Sequence, residues 1–212
     1  VYAGGNRRFR LRLSCLIRPG REIVRKFIHY SGPVVFNEGM WGLGTSLYKV
    51  IMGHMEGSTE ILAARALAGN IEDICLVAIF AMAGTTGITV GREIGSGRDS
   101  GTVYQVGAAM DTLALFCGLG IGLVLLAATR LFLAPVVYPL FRLSENAAGI
   151  ATMMLTFTAA AMPLRAFNTT NTVGVLRGGG DVRAAMLIDI LPLWCVALPL
   201  AALFGLGLRW GI

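Results

Sequence analysis

Long apolar stretches alternate with short polar turns along this chain, and that pattern dictates most of what it can fold into. A segment of about 20 apolar residues crosses a bilayer as a helix. The clearest turn is Gly174-Val-Leu-Arg-Gly-Gly-Gly-Asp181, with Arg183 two residues on. Three adjacent glycines permit positive φ and close backbone approach, and Arg177, Asp181 and Arg183 are too polar to rest in hydrocarbon without partners. With 212 residues, 55% hydrophobic, and a mean hydropathy of +0.69, the chain is too apolar for an ordinary soluble domain. It is expected to be all-α, a polytopic membrane bundle of about five helices.

Five spans are read, at about 31–52, 60–91, 103–128, 147–175 and 183–208. Residues 1–30 read as a basic cytoplasmic linker in which Arg21 to Tyr30 forms a helix lying at the interface. Arg130 to Asn146 holds Pro135 and Pro139 and reads as an outer connection, broken or re-entrant. Eight of the 18 Lys and Arg lie between Arg7 and Lys26. Further basic residues stand at Arg92, Arg98, Arg177 and Arg183, so one side holds most of the loop charge, as the positive-inside rule requires of a cytoplasmic face. The net charge of +6 is thereby accounted for without nucleic acid. Val1 opens in mid-loop and Ile212 directly follows an apolar run, so the chain is expected to be a fragment. Five spans also leave its ends on opposite sides, which suggests a missing sixth.

Polar residues inside the spans carry the chemistry. Glu38, beside Asn37 and Trp41, costs a few kcal/mol at its depth unless it faces a wet cavity, takes a proton or pairs with a cation. It reads as a proton or sodium site, against a structural pair with Lys49 or Arg165. Asp189 precedes Pro192 and Trp194, where a kinked helix and an indole could border a cavity. Asp111 reads as structural, within reach of water or a basic loop residue. Arg165, following Pro163, is expected to balance Glu38 or Asp189. Asn168 and Asn171 lie in a polar stripe with Thr169, Thr170 and Thr172 that either bonds across helices or lines a substrate path. Glu72 and Asp73 read as a helix face turned toward protein or water. The methionines read as gap fillers and the four cysteines as apolar packing residues. No metal cluster, nucleophile or G-x-x-x-x-G-K-[ST] phosphate loop is assembled, so neither an enzyme nor an ATP site is expected and no cofactor is implied.

In order and spacing, several stretches resemble the C-terminal lobe of a bacterial multidrug and toxic compound extrusion (MATE) transporter. They are Pro33-Val-Val-Phe-Asn-Glu38 with Trp41-Gly-Leu-Gly44, Glu60-Ile-Leu-Ala-Ala-Arg65, Thr89-Val-Gly-Arg-Glu-Ile-Gly-Ser-Gly97, and Gly174 to Arg183 followed by Asp189, Trp194 and Pro199. The resemblance covers about residues 20–208. It implies two six-helix lobes around a cleft in a bacterial inner membrane. It further implies export of small organic cations driven by a sodium or proton gradient, with this chain supplying helices seven to eleven and an N-terminal lobe as partner. Glu38 falls on the acidic residue of the family's seventh helix, a cation-site member in some branches. Those branches also place an Asp in the tenth helix, but Arg165 to Asn171 contains no carboxylate, which points to proton coupling or to a site in the other lobe. Glu38 and Asp189 are thus the candidate ion-coupling residues, with Asn37, Trp41, Arg165, Asn168, Asn171 and Trp194 along the substrate path. A lipid-linked sugar flippase of the same superfamily and a non-transport scaffold are the alternatives. Phosphate cargo would call for a strongly cationic cleft, and a scaffold would need no buried acid.

Overall fold

The computed structural model describes residues 20–207, so the expected linker up to residue 19 and the last residues lie outside the described part. The described residues form helices and turns, with no strand among them. Five long helices follow one another: α1 (Arg21–Gly53), α2 (Ser58–Gly95), α3 (Ser100–Leu140), α4 (Glu145–Leu176) and α5 (Val182–Gly207). The last four are each long and apolar enough to cross a membrane. α1 has the length but is more polar, since its 33 residues include Arg21, Glu22, Arg25, Lys26, Glu38 and Lys49.

Two sequence expectations change. The segment from Arg21 to Tyr30 is not a separate interfacial helix but the first turns of α1, which runs unbroken through Pro33. The supposed outer connection is also largely helical. α3 continues past Ala128 through a π-helical stretch, Thr129–Val137, into Tyr138–Leu140. Pro135 and Pro139 lack an N–H to donate, and a wider turn accommodates such residues without ending the helix. Arg142, at φ 51°, then reverses the chain. Ser144 caps α4 by accepting from the Ala147 amide at 3.2 Å, and its hydroxyl donates to Glu60 at the start of α2 at 3.0 Å. Asp99 caps α3 in the same manner, and its hydrogen bonds from Thr102 hold its carboxyl below the usual range.

The packing follows membrane logic, with small residues inside and large ones outside. Ala64, Ala68, Ala83, Ala114, Ala151, Ala159 and Ala166 are buried, whereas Ile74, Val77, Ile88, Val124, Leu131 and Phe157 are exposed. Lipid offers large apolar side chains as good an environment as protein does, so helix contact is decided by how closely backbones can approach. α4 is the helix most closely approached. A Cβ on Gly118 of α3 would lie 2.6 Å from Ala166 Cβ and 2.8 Å from Met162 O, and one on Gly122 would collide with Ala159 O. Ala159 O is the carbonyl that Pro163, four residues on, cannot bond. On the other side of α4, a Cβ on Gly174 would lie 2.8 Å from Thr86 Cβ, and one on Gly178 would lie 2.6 Å from Gly87 Cα. α2, α3 and α4 therefore form a three-helix block.

α1 and α5 make a second unit beside it. They run parallel and meet along one stripe. A Cβ on Gly44 would touch Leu193 Cδ2 at 2.7 Å, and Gly205 faces Ile51 and Met55. The indole of Trp194 donates to Met40 O at 3.3 Å. α5 has two π-helical stretches, Leu193–Ala197 after Pro192 and Leu203–Gly207.

Gly174→Leu should lower the stability of the chain in detergent by about 1–3 kcal/mol, the usual cost of overpacking. Gly120→Ala, where a Cβ meets nothing within 4 Å, should leave it unchanged. Thermal unfolding of the two variants checks this contrast, which a loose interface between α2 and α4 would not produce.

Candidate functional site

Where the α1–α5 pair meets the end of α4, four polar side chains come together. Asn37 of α1 is buried and donates through Nδ2 to Asp189 Oδ2 of α5 at 3.1 Å. Arg177, just beyond the π-helical stretch Thr170–Leu176 of α4, reaches both acids. Its Nη1 lies 3.0 Å from Glu38 Oε1 and its Nη2 lies 3.3 Å from Asp189 Oδ2. The guanidinium fork suits this task because its donors diverge in one plane, so it can engage two carboxylates on different helices. Burial is graded across the group: the side chains of Arg177 and Asp189 are 16% and 14% exposed, whereas that of Glu38 is 64% exposed. Glu38 is therefore the open end of the cluster. Asn37 Oδ1 is buried with no protein hydrogen-bond partner. Two carboxylates and one guanidinium leave the group with one excess negative charge.

Three of the residues singled out in the sequence, Asn37, Glu38 and Asp189, are thus brought together. The residue that joins them was missed. Arg177 reads as a cytoplasmic loop charge next to Gly178–Gly180, yet the helix extends through Gly178 and the turn is confined to Gly179 to Asp181. Gly180, at φ 93°, makes that turn. One available signal was α-helical spacing, since Arg177 lies 12 residues beyond Arg165 and can share the α4 helix with it.

Arg165 does not balance Glu38 or Asp189. It pairs with Glu72 Oε1 of α2, and Arg65 holds Oε2 of the same carboxylate at 3.0 Å. Two cations satisfy one carboxylate that is 10% exposed, a structural knot roughly 18 Å along α4 from Arg177. Lys49 is exposed and is not the partner of Glu38. Trp41 is 40% exposed one turn beyond Asn37 and Glu38, and Trp194 borders the cluster through its bond to Met40. Asn168 is exposed and Asn171 half-buried farther up α4, outside the hydrogen bonds of the cluster. Asp111 is paired with no basic residue among the described residues. It is buried on α3. No group of three potential metal ligands occurs among the described residues.

A small-residue helical bundle with an ion-paired cluster between its helices belongs among polytopic membrane proteins that keep charge inside the bilayer. The profile of the MatE family matches residues 33–203, and the chain belongs to that family. It is 24% identical over 209 residues to the protein named Uncharacterized transporter YisQ of Bacillus subtilis, covering 98% of this chain and 44% of that protein. It is likewise 24% identical over 196 residues to the Probable multidrug resistance protein NorM of Pseudomonas aeruginosa, covering 90% of this chain and 37% of the other. The chain spans less than half the length of these curated relatives. No solved structure matches significantly.

Arg177→Gln leaves Asp189 without its cation and should cost about 3 kcal/mol, the low end for breaking a buried pair. The Glu38 arm, being exposed, should contribute under about 1 kcal/mol of that. Adding Asp189→Asn to Arg177→Gln should restore most of the loss in a double-mutant cycle followed by thermal unfolding. Equal and additive losses would mean that Arg177 and Asp189 do not interact.

Proposed function

We propose that this chain acts as one lobe of a secondary antiporter that exports organic cations or drugs in exchange for protons or sodium. In this reading it works with a second lobe of the same protein in a bacterial plasma membrane. The single observation that carries the reading is the charge excess of the cluster: Arg177 can neutralise only one of the two carboxylates it touches. The remaining charge lies at Glu38, the exposed member. A proton on Glu38 and an organic cation beside it each bring the cluster to neutrality, but both together leave it positively charged. Mutual exclusion of this kind is what an exchange cycle requires, because only one of the two ligands rides in each direction.

Opposed lobes rocking about a midplane site supply the alternation. Trp41, exposed one turn along α1 from Glu38, would offer a ring face to a cation. The sign of the excess charge also favours a cation over the phosphate of a lipid-linked sugar, which a negative site repels. No covalent chemistry is involved, so the protein acts as a carrier.

Glu38→Gln preserves shape and hydrogen bonding but cannot titrate. In the two-lobed protein it should reach the membrane at normal levels while gradient-driven export of a fluorescent organic cation falls by at least about tenfold. If Glu38 is merely structural, the same change should instead lower expression or thermal stability, with a compensating change at Arg177 restoring both. Export at the wild-type rate across the pH range would remove Glu38 from the mechanism.

A further inference from the structure

Asp111 lies outside the Arg177 cluster, on the face of α3 that also buries Gly107, Ala114, Gly118 and Gly122. It is 7% exposed, and its Oδ1 is buried with no protein hydrogen-bond partner. Of the other acids buried or half-buried along these helices, Glu72 faces Arg65 and Arg165, Glu93 faces Arg98, Asp189 faces Arg177, and Glu60, in the first turn of α2, accepts from Ser144.

The register between α3 and α4 shows what lies across from Asp111. A Cβ on Gly107 would meet Val175 Cγ1 at 3.3 Å, and one on Gly118 would meet Ala166 Cβ at 2.6 Å. The helices are therefore antiparallel, and Asp111, one turn past Gly107, stands level with Thr170 to Thr172. Thr170 and Thr172 are 0% and 2% exposed, and both hydroxyls are buried without a protein partner. Other buried threonines of the bundle donate to the carbonyl four residues back, as Thr86 does to Met82 and Thr129 to Leu125. Thr170 and Thr172 begin the π-helical stretch Thr170–Leu176, where backbone pairing changes from four residues to five. At one level of the membrane there are thus a carboxyl and two hydroxyls, each with an unmatched oxygen.

We propose that Asp111, with Thr170 on the α4 face turned to α3, forms a second site that binds a proton, and that its occupancy sets the winding of the α4 turn that carries Arg177. An isolated carboxylate at this depth is costly, and with no cation facing it the charge is removed by a proton. The neutral carboxyl then has one O–H to donate and one carbonyl oxygen to accept. The Thr170 hydroxyl, on the same face, can donate to or accept from it. Charged groups on the packed elements are otherwise engaged or turned away. On α4, Arg165 is held by Glu72 and Arg177 by Glu38 and Asp189. On α2, Arg92 and Asp73 are exposed and Glu93 is held by Arg98. On α3 itself, Tyr104 and Cys117 are exposed.

The connection to Arg177 is geometric. Re-winding a π turn as an α-helix rotates all that follows by about 100°. Arg177 directly follows the stretch, so such a change carries its guanidinium away from Glu38 and Asp189. The use of this link in transport rests on the antiport reading. The binding of the proton does not.

Difference infrared spectroscopy of the chain in lipid nanodiscs at about pH 7 tests the site. The carbonyl stretch of a protonated carboxyl should be present, vanish in Asp111→Asn, and shift in Thr170→Val. The threonine variant keeps the acid, so it reads the same band should Asp111→Asn fail to fold. Glu38→Gln should leave the band in place, which separates this site from the transport reading. A band absent at neutral pH, unchanged by Asp111→Asn, or abolished by sodium at constant pH would overturn the proposal.

Discussion

One guanidinium shared by carboxylates on two other helices is the interaction on which the arrangement depends. The α2–α3–α4 block and the α1–α5 pair meet over a limited surface, and Arg177 joins them by reaching Glu38 on one helix and Asp189 on the other. Arg177 and Asp189 are largely shielded, so the charge balance of the cluster bears directly on how the two units sit together. A change in that balance acts on a helix interface rather than on one side chain. This is the property a moving carrier needs.

Arg177 can reach both acids because α4 is held close to its neighbours. Gly174 and Gly178 lie against Thr86 and Gly87 of α2, while Gly118 and Gly122 of α3 lie against Met162, Ala166 and Ala159. These contacts fix the helix axis through dispersion at short range, where a single Cβ would force displacement. The π-helical turn at Thr170–Leu176 supplies the opposite quality, a local departure from regular winding inside a tightly held helix. Rigid packing on both sides concentrates any change of winding at that turn, next to Arg177.

Much of this was legible in the sequence, and for a common reason. A polar residue in an apolar stretch is expensive, so Asn37, Glu38 and Asp189 declared themselves, and the structure brings all three together. What could not be read was pairing between distant helices. Three following glycines make Arg177 read as a loop charge, and sequence position alone offers Glu38 or Asp189 to Arg165, although Glu72 is its partner. Glu72 lies seven residues, two helical turns, from Arg65, a spacing that already placed both on one face of α2. Prolines mislead on span boundaries, since they read as helix ends. Pro135 and Pro139 instead sit within or beside a π-helical stretch that lets α3 continue. Backbone pairing of that kind leaves no composition signature.

The central claim is that a cationic substrate and a proton compete for the same excess negative charge. It is tested most directly by counting protons released when an organic cation binds to the purified two-lobed protein, using calorimetry in buffers of different ionisation enthalpy. The account predicts net proton release on binding that is reduced in Glu38→Gln. Binding of the cation with no change in bound protons at any pH would contradict it.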